Sequence, residues 1–173
     1  LSAKRVAAVG VFSALAYVGS FVLMSIPNAT LSILLVFYAG YYIGVTGGAL
    51  TGIMSALLIS LFNPYGLAML PILAAQVLGY LTIGALGGLF ANRLGYDDYR
   101  TGAAPLSLLG LLTALIYQAP VSVADAWLFG PFWARLAMSG GFALITIVSN
   151  ILFFVLLFPL LAKLKKVGIF RLS

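Results

Sequence analysis

Between Arg5 and Arg93 the chain carries no Asp, Glu, Lys, Arg or His, an unbroken 87 residues from 6 to 92. Two further charge-free stretches follow, 101–124 and 136–162. A soluble domain covers itself with roughly 25% charged residues. This chain has 7%, against 64% hydrophobic residues and a mean hydropathy of +1.19, so it has no means of facing water on all sides. A bilayer is its natural solvent. A spanning helix takes roughly 20 apolar residues, which leaves room for about five to seven spans in residues 1–173. The expected fold is a single all-α transmembrane domain.

The sequence contains neither Cys nor His. That removes disulfides, thiolate chemistry, imidazole metal ligands and every His-dependent mechanism. It also has no GxxxxGK[ST] phosphate loop, and its three carboxylates leave almost no acid–base machinery. We therefore expect a protein that is not an enzyme and that carries neither cofactor nor metal site.

Pro, Gly and polar clusters divide the apolar stretches. Lys4-Arg5 followed by Ala14-Leu15-Ala16 imitates a secretory signal with its cleavage site. The apolar run continues to Ile26, however, and reads as a first helix over 6–26. Further helices are expected over 31–45, 49–62, 68–91, 103–118 and 139–162. A turn is placed at Thr46-Gly47-Gly48, a polar loop at 92–102 and a long irregular segment at 119–138. The second and third helices are short, about 22 Å each, against a hydrocarbon core of about 30 Å. They either run on through the Gly-rich turn as one kinked helix or stop short and leave a cavity. With six spans, eight of nine basic residues fall on one side: Lys4, Arg5, Arg93, Arg100, Lys163, Lys165, Lys166 and Arg171. Only Arg135 lies opposite. Positive charge favours the cytoplasm, so both termini are expected there, and the basic excess serves topology rather than nucleic acid. Asp97-Asp98, between Arg93 and Arg100, reads as a solvated turn on that side.

Small residues recur at one-turn spacing: Gly40, Gly44, Gly48 and Gly52, then Gly84 and Gly88. Such stripes let helix backbones approach where lipid offers no hydrophobic drive. They serve internal packing or a partner groove. Ala3, Ala7, Gly10 and Ala14 form a second stripe on the first helix, with the same two readings.

The side opposite the basic clusters is chemically richer. It collects Asn28, Asn63, Tyr65, Asp125, Trp127, Trp133 and Arg135, with Gln76 and Gln118 near helix ends. Singly, the aromatics fit an interfacial belt and Asp125–Arg135 an ion pair. Together they outline a pocket for an amphiphilic small molecule. Asn150 lies within the last span and must face a partner, either another helix or a ligand. These ten residues form the candidate substrate-binding set; the 119–138 segment would close over it.

The stretch LSILLVFYAGYYIGVTGGALTGIMSALLISLFNPYG, the helix ending IGALGGLF and the closing NILFFVLLFPLLAKL resemble the substrate-binding S-components of energy-coupling factor (ECF) transporters. The likeness covers nearly the whole chain but is a pattern of small and apolar residues. It implies a prokaryotic cell-membrane protein that captures a vitamin or related micronutrient outside. Such a protein docks on a membrane coupling subunit carrying two ATPase subunits and topples to release its substrate inward. The family's A-x-x-x-A docking stripe corresponds to Ala3 and Ala7, continued by Gly10 and Ala14. No motif for a particular vitamin is present. The competing expectation is a self-sufficient small-molecule transporter or channel working without ATPase partners.

Overall fold

The computed structural model describes residues 2–91, 93–94 and 102–167. These residues form seven helices: α1 (Ala3–Phe21), α2 (Ser32–Ile43), α3 (Val45–Leu61), α4 (Leu70–Phe90), α5 (Ala103–Phe129), α6 (Phe132–Leu156) and α7 (Phe158–Val167). Three of them, α4, α5 and α6, are long and apolar enough to cross a membrane; α2 and α3 are apolar but shorter. The chain is a helical membrane protein. The expected solvated turn at Asp97-Asp98 lies outside the described residues, as do Arg100 and Arg171.

The second and third helices are separate, but their hinge is not where the sequence placed it. Thr46, Gly47 and Gly48 lie inside α3, and the chain reverses at Gly44, whose φ of 99° suits a residue without Cβ. Gly47 and Gly48 are needed for packing instead. A Cβ on Gly48 or Gly40 would land on the Gly84 carbonyl of α4, and one on Gly52 would land on the Tyr80 carbonyl. Gly84, Gly87 and Gly88 meet the backbone of α2 and α3 in return. The glycine stripes are thus internal, holding α2, α3 and α4 in main-chain contact where dispersion and weak polar contacts must replace the hydrophobic effect.

Two other boundaries are corrected. The segment 119–138 is not an irregular loop. Pro120 sits inside α5, which continues to Phe129, and only Gly130-Pro131 separates it from α6. Proline removes one ladder bond, a loss that membrane helices accommodate through neighbouring groups. The last predicted helix, 139–162, begins earlier at Phe132 and divides at Leu157 into α6 and α7.

α6 packs chiefly along α5, and α5 joins the rest through α4. The molecule is therefore a tight α1–α4 block with an α5–α6 hairpin leaning on it. Lys165 of α7 donates to the Tyr41 carbonyl at 2.6 Å and lies 4.2 Å from the Tyr41 ring centroid. That carbonyl belongs to the last turn of α2, where backbone acceptors lack helical partners. Lys165 thus ties α7 to the end of the bundle where α2 finishes.

Candidate functional site

α2 has 12 residues and spans about 18 Å, whereas the 21-residue α4 beside it spans about 31 Å. The two run parallel, and Ser32 at the start of α2 meets Tyr80 at the middle of α4, its hydroxyl 2.5 Å from the Tyr80 OH. Above that point no α2 backbone fills the bundle. The space is bounded by residues 20–30, the end of α3, the first half of α4, and α5. It forms a cavity of about 480 Å³, in the size range of small-molecule sites. The cavity follows from the shortness of α2, as one of the two readings of its length anticipated.

Its floor is a chain of hydroxyls. Thr30 Oγ1 accepts from the Ser32 backbone N–H at 3.2 Å and lies 2.7 Å from Ser32 Oγ, which links it to Tyr80. Gln76 and Tyr80 are one turn apart on α4 and share a face. The Ser60 hydroxyl donates to Gln76 Oε1, and Gln76 Nε2 reaches Tyr117 OH on α5 at 3.5 Å. The Tyr80 and Tyr117 rings pack with centroids 4.8 Å apart.

Asn28 enters from the α1–α2 loop with φ of 60°, a left-handed conformation that Asn adopts more readily than most residues. Its backbone oxygen accepts from Thr146 of α6 at 3.2 Å. The same hydroxyl lies 3.2 Å from Gln118 Oε1, and Gln118 Nε2 donates to Ser122 Oγ at 3.1 Å. Asn63 Oδ1 accepts from the Tyr65 N–H at 2.9 Å and shapes the α3–α4 turn at the cavity edge. A second cavity of about 340 Å³ shares Asn28, Gln118 and Val121 with the first and opens between α5 and α6. Asp125 and Arg135 line it, joined in a two-point pair with Nε–Oδ2 at 2.7 Å and Nη2–Oδ1 at 3.2 Å.

Of the ten residues expected to bind ligand, Asn28, Asn63, Tyr65, Gln76 and Gln118 line the larger cavity. Asp125 and Arg135 line the smaller one. The remaining three lie elsewhere. Trp127 and Trp133 are 71% and 78% exposed near the hairpin tip, outside both linings. Asn150 is buried between α5 and α6, where Nδ2 donates at 2.9 Å to both the Gly110 carbonyl and Thr113 Oγ1. It acts as interhelical glue.

Sequence reasoning missed Tyr80, Tyr117, Ser32, Ser60 and Thr146. Their hydroxyls sit in apolar runs and read as ordinary span residues. The usable signal was spacing: Gln76–Tyr80 and Gln118–Ser122 each place two polar groups one turn apart within a span.

Among the described residues no group of His, Cys, Asp or Glu could hold a metal ion. The cavity offers amides, hydroxyls and aromatic faces, a chemistry suited to holding a ligand. Compared with protein-family models, curated proteins and solved structures, the chain has no match.

Proposed function

We propose that this chain is the capture subunit of an energy-coupling factor importer. It takes a vitamin or related micronutrient from outside a prokaryotic cell and hands it to an ATP-driven module. The observation that carries this reading is the polar cavity above α2, at the end of the bundle opposite Lys4, Arg5, Arg93, Lys163 and Lys165. By the positive-inside rule that end faces outward, in a six-span arrangement with α1–α6 as the spans and both termini in the cytoplasm. The chain has no phosphate loop of its own, so ATP hydrolysis belongs to partner subunits. It has no enzymatic role in this reading.

Support also comes from α1. Its buried face is built from Ala8, Val9, Phe12, Ser13, Ala16 and Gly19. Ala3, Ala7, Gly10 and Ala14 are all exposed, and a Cβ on Gly10 would meet nothing within 4 Å. The stripe is therefore not consumed by packing within the chain. It suits close approach of a helix of the coupling subunit, in the way small residues serve elsewhere in membranes.

The test is transport in proteoliposomes. Substrate should enter only when coupling and ATPase subunits and ATP are supplied. Flux through the chain alone would overturn the reading in favour of a self-sufficient transporter or channel.

A further inference from the structure

We infer that the captured ligand is uncharged at neutral pH, with a flat face and an edge bearing both hydrogen-bond donors and acceptors. The inference rests on reading the cavity as a capture site and names the class of compound that the site takes. Among the described residues, no Asp, Glu, Lys or Arg lines the larger cavity. An ion entering it from water would lose hydration without meeting an opposite charge. Among the described residues, the charges that line the smaller cavity are Asp125 and Arg135, and these are already committed to each other. Arg135 presents two nitrogens to the two carboxylate oxygens of Asp125. A ligand carboxylate would have to displace Asp125 from its pair, and a ligand ammonium would have to displace Arg135. Either exchange breaks one charged contact for each one made, so the pair offers an incoming ion no net gain.

What the cavity supplies instead is neutral and two-sided. Asn28 and Gln118 border both cavities and each carries an amide, which both donates and accepts; that of Gln118 is held by Thr146 and Ser122, which leaves one N–H of its NH2 for a ligand acceptor. Gln76 has its oxygen engaged by Ser60 while its NH2 reaches only the long 3.5 Å contact to Tyr117. A ligand acceptor is the better partner for that group. The tilted Tyr80–Tyr117 pair on one wall and Phe21 on the α1 side provide apolar faces. A planar ring bearing amide-like edges fits both kinds of surface.

The experiment starts from the purified full chain in detergent, incubated with the small-molecule ultrafiltrate of yeast extract and then desalted. Bound compounds are released by denaturation, identified by mass spectrometry, and their charge at pH 7 is read by electrophoretic mobility. A stoichiometric neutral ring compound is expected. A stoichiometric anion, cation or zwitterion would overturn the inference while leaving capture intact. Retention of nothing would overturn the capture reading itself, and with it this inference. A second arm measures the identified compound on Gln76→Glu. Losing one neutral hydrogen bond and placing a carboxylate beside an uncharged ligand should weaken binding about 10-fold or more. Tighter binding by Gln76→Glu would mean that the ligand is a cation, against the inference.

Discussion

A methyl group added at Gly84 would meet the Gly48 carbonyl, a backbone atom that cannot rotate aside. Gly84→Ala should therefore destabilise the protein by about 1–3 kcal/mol, the usual range for overpacking. A lower midpoint of thermal unfolding in detergent checks this. Gly10→Ala is the control: with open space around it in the interior of α1, the same change should not destabilise the protein. Asn150 separates two roles that its sequence position left open. Its amide bridges α6 to Gly110 and Thr113, so Asn150→Ala should cost about 1 kcal/mol, as interhelical hydrogen bonds in membranes do. Ligand affinity should remain within about twofold, far from the tenfold of a lost contact. A large fall in affinity with unchanged stability would instead make Asn150 part of the site.

Helix identity was legible at the scale of elements because apolar runs and glycine spacing both report on burial. The breaks were less so. Thr46-Gly47-Gly48 has the composition of a turn, yet its glycines are small because Gly48 meets the backbone of α4 and Gly47 the Ile43 side chain, and Gly44 alone does the turning. Pro120 read as a stop, but a proline ends a helix only when nothing rewards continuing it. The Asp125–Arg135 pair and the α5–α6 packing both extend past it. Half of the proposed site was visible as amides near helix ends. Tyr80 and Tyr117 were not, since a phenol within an apolar run gives the same signal whether it meets lipid, a helix or a cavity. α7 offers a prediction at this scale. Lys165→Met removes the bond to the Tyr41 carbonyl and the charge over its ring, worth about 1 kcal/mol locally. Chymotrypsin should then cut faster around Phe158, with the midpoint of global unfolding little changed.

For the molecule as a whole, the exposed small-residue face of α1 and the cavity lie on different parts of the bundle and should fail independently. Ala7→Trp should abolish co-purification with an energy-coupling module while ligand retention stays within about twofold, because Ala7 is exposed and lines neither cavity. Equal loss of both would mean that the stripe packs internally after all. The glycine contacts carry one more consequence. Side chains between helices act as a soft filling that can repack by fractions of an ångström, and α2, α3 and α4 have little of it where their backbones touch. Mechanically, that trio is a gauge block: it can be turned or tilted but not squeezed. Nitroxide labels placed across α2 and α4 should report one fixed distance whatever the ligand. Labels spanning α3 and α6 should register any shape change that occurs.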